Sequence, residues 1–448
     1  MAHDHLAHHG HGGKVTAAPR ARLAMTVAVA LLGLSAIVGL VVLWPDGERP
    51  ILAEELGMGA ELVDATVTEV DLVPCFGTRE DDGILCDEVH VDITSGAPAG
   101  RSGILELAIT EATVELHEGD DITLGYQPEA ENPRFEYYFN DYQRDTPLLV
   151  LVVLFAVAVL LLGRWQGVRA LVGLAVTGVV MVAFLFPSVL DGNDPTAVAL
   201  VAAIVIGLVA LYVTHGVSER TTVALLGTFA ALALTALLAA AFSAAASFTG
   251  FSTEDAFYLQ IASSNVDIKG LILAGIVIGS LGVLDDVTVT QVSAVWQLHH
   301  ANPALGARRL YRSAVSIGRD HIASTVNTLV LAYAGASLPL LLVFTQAGRR
   351  LTDVAAGELV AVEIVRTLVG SIGLVAAVPI TTALAAWIVT SGRDASDVDT
   401  DAEFDPEDAP PPRRLSHSPA PAAAALPPEE PDAEDVAWDR FAPRPDDG

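Results

Sequence analysis

Apolar positions along this chain come in two rhythms. From Leu23 to Trp44, and again beyond Thr146-Pro147, they form near-continuous runs, at about 147–163, 168–187, 196–214, 221–243, 270–298, 321–346 and 366–390. Runs of roughly 18–20 such residues are what a helix needs to cross a bilayer. Between the first run and the rest, from Asp46 to Asp145, apolar and polar residues alternate over short stretches. These are Ala65-Thr-Val-Thr-Glu-Val, Glu88-Val-His-Val-Asp-Ile, Ile104-Leu-Glu-Leu-Ala-Ile and Thr113-Val-Glu-Leu-His. Breaks such as Glu118-Gly-Asp-Asp-Ile separate them, a strand-and-turn signature. The pattern predicts a polytopic α-helical membrane protein of about eight transmembrane helices. A small all-β domain is inserted after the first helix.

The boundaries follow. Residues 1–22 are a His-rich disordered N-terminus, and 23–44 an uncleaved signal anchor, because Trp-Pro-Asp-Gly follows it and no small-x-small site does. Residues 45–146 form the acidic β domain and 147–390 a seven-helix membrane domain. Residues 391–448 are an acidic, Pro/Ala-rich tail with the composition of disorder.

Charge refines this picture. Only 17% of residues are charged, against about 25% in soluble domains. The net charge of −30 is concentrated in two segments, 25 acidic against 5 basic residues over 46–145 and 16 against 5 over 391–448. Such segments repel nucleic acid and anionic lipid. Basic residues sort by side: Lys14, Arg20, Arg22, Arg164, Arg169, Arg220, Arg308, Arg309, Arg312, Arg319 and Arg393 on one face, Lys269, Arg349, Arg350 and Arg366 on the other. The positive-inside rule then puts both termini in the cytoplasm and the β domain outside. Arg349 and Arg350 run against it, and the spacing of Val354, Leu359, Val362 and Ile364 there suggests an amphipathic helix at the outer interface.

The only cysteines, Cys75 and Cys86, flank a turn at Gly77–Gly83 within the β domain. With that domain outside, they read as a disulfide stapling a hairpin. A metal pair would need more ligands than the nearby acids and His90 offer. His3, His5, His8, His9 and His11 are weak metal candidates, since low-complexity tails commonly carry such runs.

The candidate chemistry sits in 270–298, where Asp285 and Asp286 are neighbours. A carboxylate at membrane depth costs about 2.5–3.5 kcal/mol and marks a site or a specific contact. Helical spacing puts Asp286 on a stripe with Gly275, Gly279, Gly282, Thr290, Ser293 and Gln297, and Asp285 about 100° away with Thr288 one turn on. In the next span Asp320, Ser324 and Asn327 share a face. Packed antiparallel, the two helices would form a cytoplasm-side polar site of Asp286, Thr290, Asn327 and Asp320, with Arg319 neutralising a carboxylate and Asp285 tuning its neighbour. The same stripe also reads as a helix–helix seam. Gly335-Ala-Ser-Leu-Pro339 breaks the span near its other end, and Glu363 and Arg366 form an i, i+3 ion pair.

Gly279 to Trp296 (GSLGVLDDVTVTQVSAVW), Ser316-Ile-Gly-Arg-Asp, Asn327 to Leu342 (NTLVLAYAGASLPLLL) and Glu363-Ile-Val-Arg with Gly370-Ser-Ile-Gly resemble the YibE/F family of bacterial multi-pass membrane proteins. The resemblance covers about Thr146 to Ile388 and extends weakly to Glu118-Gly-Asp and Asp141-Tyr-Gln-Arg144. It implies an inner-membrane protein with the family's membrane aspartate at Asp286. Asp285 stands where other members often carry an apolar residue. Arg319, Asp320, Asn327, Tyr333, Pro339, Glu363 and Arg366 match the family pattern. No activity comes with it.

Two functions compete. A transporter or permease for an ion or small solute would use the Asp286/Asn327 site. A non-transporting scaffold or envelope-assembly partner would bind another protein through its outer β domain, alone, as a homo-oligomer or with a related membrane subunit. No catalytic motif, His-Glu-x-x-His or phosphate loop is present, so neither an enzyme nor a cofactor is expected.

Overall fold

The alternating segment builds an antiparallel five-stranded sheet. In a computed structural model, which describes residues 17–47, 61–77, 85–109, 114–128, 132–262, 265–346, 348 and 350–392, these strands are β1 (Glu61–Pro74), β2 (Leu85–Ile93), β3 (Ser102–Ala108), β4 (Asp121–Tyr126) and β5 (Tyr137–Tyr142). The five N-terminal histidine candidates and nearly all of the acidic tail lie outside the described residues. The sheet order is β3-β2-β1-β4-β5. Alternation works as the pleat requires: Val63, Ala65 and Val67 of β1 face inward against Val89, Val91, Leu105, Ile122 and Leu124. Gly103 of β3 packs on the Tyr137 ring of β5, so the sheet curls into a half-barrel. Of the four alternating stretches, Val114–His117 is not a strand. Leu116 alone of it reaches the core, and the chain turns at Gly119 (φ 92°) before β4. Cys75 and Cys86 are disulfide-bonded across the β1–β2 connection, Cα atoms 5.0 Å apart. Their thiolates are thereby removed as metal ligands.

The apolar runs fold as helices: α1 (Pro19–Val42), α2 (Asp145–Leu190, with a π turn at Met181–Leu185), α3 (Pro195–His215), α4 (Glu219–Ala245), α5 (Glu254–Ala262), α6 (Ile268–Ala301), α7 (Ala307–Ala336), α8 (Leu338–Gln346), α9 (Leu351–Ala356) and α10 (Glu358–Thr390). Among the described residues six are long and apolar enough to cross a membrane, or seven if α7 and α8, bent by 61°, count as one span. That differs from the expected eight, because the runs 147–163 and 168–187 fall within α2. Its backbone leaves helical geometry at Arg164 (φ 50°, ψ −126°). A side chain at Gly167 would strike the Val159 carbonyl, whereas a straight helix sets residues eight apart about 12 Å from each other. The chain therefore folds back sharply at Arg164. The break after α7 lies at Ser337, two residues before Pro339, which cannot continue the hydrogen-bond ladder. The amphipathic helix expected from Val354 to Ile364 is divided instead: Val354 sits in the short α9, and Leu359, Val362 and Ile364 open α10.

Polar contacts gather the helix ends into two groups. At one end, Glu219 accepts from the Ala17 amide (3.0 Å) and pairs with Arg22 (2.5 Å), and the Ala18 amide donates to Ser391 Oγ (3.2 Å). At the other, Ser188 Oγ donates to the Leu43 carbonyl (2.7 Å), and the Thr249 and Gly250 amides donate to Glu358 (2.7 and 2.6 Å). The beginning of α1 and the end of α10 thus meet at one end of the bundle. The central helix is α6, packed on α3, α4, α7 and α10.

Candidate functional site

The inner face of α6 carries hydroxyls and an amide at helical spacing: Ser280, Thr288 and Gln291, all buried. Three of the four neighbouring helices supply partners. Thr288 Oγ1 lies 2.6 Å from Thr228 Oγ1 of α4, and each also has a carbonyl of its own helix, Asp285 and Ala224, at 3.0 Å, so that one hydroxyl donates across the seam while the other donates to its own carbonyl. Gln291 Nε2 donates to the Ala314 carbonyl of α7 (2.8 Å) and to Thr382 Oγ1 of α10 (2.7 Å). One side chain thus ties three helices together. Beside these groups, glycines let α4 and α10 approach: a Cβ at Gly227 would collide with Thr381, and one at Gly373 with Thr235. Helices α4 and α10 therefore interlock glycine against threonine in both directions, the close packing that membrane helices use.

Asp285 lies halfway along this 34-residue helix, about 25 Å from either end. It is half-buried, and its Oδ1 atom is buried with no hydrogen-bond partner. Among the described residues its carboxylate forms no ion pair. Asp286, one residue on, is exposed, as are Thr290, Gly275, Gly279 and Gly282. Most of that stripe is therefore exposed, while Ser293, half-buried, accepts from Arg220 of α4. Arg319, Asp320 and Asn327 on α7 are exposed too. Asp286, Thr290, Asn327, Asp320 and Arg319 form no side-chain hydrogen bond or ion pair with one another among the described residues, so Arg319 does not neutralise either aspartate. The antiparallel packing of α6 and α7 does hold, with Gly318 against Gln291 and Tyr333 beside Gly279. It places Asp286 and Asn327 at similar depth without turning them inward. The Glu363–Arg366 pair forms at 2.7 Å, with Arg366 beside Gly275.

The buried hydroxyls were the part that sequence reasoning passed over. Thr221, Thr228 and Thr235 recur every seven residues along α4, and all three are buried. That repeat in an otherwise Ala/Leu-rich span was the available signal. Ser371, Thr381 and Ser243 are buried with hydroxyls lacking partners, which adds polar, unsatisfied atoms to the same interior.

A family model described as YibE/F-like protein matches residues 151–391. No curated protein matches the chain, and no solved structure does.

Proposed function

The chain belongs to the YibE/F-like family, and we propose that its membrane domain moves a proton, a cation or a small solute across the bilayer, with Asp285 as the exchanging group. The observation that carries this reading is Asp285 Oδ1, buried at mid-helix with no hydrogen-bond partner among the described residues. A carboxylate oxygen at that depth is satisfied by a proton or by a bound cation. Thr288, one turn further along α6, and its partner Thr228 offer hydroxyl oxygens on the adjoining inner face. In this reading the sharp turn at Arg164 separates two spans, which with α7–α8 as one broken span makes eight. Both termini are cytoplasmic, at the arginine-rich end, and the β half-barrel is outside.

The test is reconstitution of the full chain into liposomes with a panel of protons, monovalent cations, divalent cations and small solutes. Wild type is expected to move at least one of them, and Asp285→Asn to abolish that flux at unchanged protein level. Absence of flux for every solute in wild type would remove the reading.

A second reading rests on a different observation, the exposure of Asp286 and Thr290 on a glycine-rich helix face. A partner helix, from a second copy or a related membrane subunit, would cover that face and shield the carboxylate. Asp286→Asn would then change the assembly size in detergent and leave flux per assembled particle intact.

A further inference from the structure

Away from the aspartates, a cavity of about 270 Å³ opens at the end of the bundle where α1 begins and α10 ends. The second leg of α2, the last turn of α3 and the first turn of α4 wall it. Gln166 and Arg169 come from α2, His215 from α3, and Ser218, Arg220 and Thr221 from the start of α4. The wall holds two guanidinium groups and no carboxylate. Glu219, next to both Ser218 and Arg220 in sequence, is turned away to Arg22 and the Ala17 amide. Asp286 is in electrostatic range of His215 but does not line the cavity.

Local structure holds this wall in place. Gly216 takes a left-handed backbone (φ 77°), which ends α3 sharply and lets α4 start three residues later. Ser218 caps α4 by accepting from the Thr221 amide (3.1 Å), so the first turn is fixed. Arg220 donates to Ser293 Oγ of α6, which holds its guanidinium against the central helix. The 27-residue α4 brings the positive end of its dipole to the same wall. Arg169 makes no hydrogen bond or ion pair among the described residues.

We infer that this cavity binds a phosphate-type oxyanion, supplied either by a phospholipid headgroup or by free phosphate. Two guanidinium forks, an imidazole N–H and the amide of Gln166 offer donors only an acceptor-rich anion can use together. A helix start adds a field of the same sign. The site is chemically opposite to Asp285, which calls for a cation, and stands whether or not the protein transports anything.

The experiment measures the thermal unfolding midpoint of the full chain in neutral detergent at constant ionic strength. One arm titrates inorganic phosphate against chloride. The other compares mixed micelles containing phosphatidic acid with micelles containing diacylglycerol, which differ only in the phosphate. Wild type is expected to gain stability in at least one arm, and R169Q/R220Q to bind about tenfold more weakly or worse. A gain in the lipid arm alone assigns a headgroup, in the phosphate arm alone a soluble anion, and in both an oxyanion of either source. No gain in either arm overturns the inference, as does a gain of full size in R169Q/R220Q. Should the double variant not fold, Arg169→Gln alone carries the test under the same criteria, because that side chain has no hydrogen bond or ion pair to lose among the described residues.

Discussion

The two faces of α6 are built from similar residues and have opposite fates. Inward, Ser280, Thr288 and Gln291 are buried, and the last two have their hydrogen bonds answered by α4, α7 and α10. Outward, Gly275, Gly279, Gly282, Asp286 and Thr290 are exposed, and a Cβ at Gly282 would meet nothing within 4 Å. Small and polar residues therefore do not by themselves say which face of a membrane helix is inside. What decides is the complement on the neighbouring helices: a threonine at 228 and 382 and a carbonyl at 314. Asp285 sits at the border between the faces, with one oxygen buried and unanswered.

Substitutions can break this comparison in order of size. Gly373→Leu on the α10 side of the inner seam should cost about 3 kcal/mol or prevent assembly, because the new side chain overlaps Thr235. Gly282→Leu on the outer face should cost almost nothing in the same thermal unfolding assay. Gln291→Leu strands the Ala314 carbonyl and Thr382 and should destabilise by about 2 kcal/mol, while Thr290→Val outside stays within about 0.5 kcal/mol. Thr228→Val is the mildest inner change, near 1 kcal/mol, because Thr288 keeps its bond to the Asp285 carbonyl. Equal losses on the two faces, measured as unfolding midpoints in one detergent, would mean that the outer face is also packed in the purified protein.

Span positions were legible because a long apolar run admits few structures other than a membrane helix. The sequence separates the runs 147–163 and 168–187; the structure carries both within the 46-residue α2, and the tight reversal at Arg164 shows in the Gly167–Val159 contact. In the β domain, Tyr137–Tyr142 is a strand whose inward residues, Tyr137, Phe139 and Tyr142, are interrupted by Tyr138 and by Asn140-Asp141, so its alternation is weak. Leu116 shows the converse, a single buried side chain giving a loop the look of a strand. For the site, the pair Asp285–Asp286 could be read from the sequence, and the antiparallel packing of α6 on α7 entered there as a supposition that the Gly318–Gln291 contact supports. Which aspartate points inward could not, because rotation of a helix about its axis is set by partners far away in sequence. Thr228 is 60 residues from Thr288, and Thr382 is 91 from Gln291.

The most direct test sets the two aspartates against each other. Asp285→Asn and Asp286→Asn are reconstituted side by side with wild type at equal protein density, and flux of the transported solute is recorded for all three. The account predicts that Asp285→Asn loses flux while its particle size is unchanged, and that Asp286→Asn keeps flux per particle. Flux lost in Asp286→Asn and preserved in Asp285→Asn would contradict it, moving the exchanging group to the outer face.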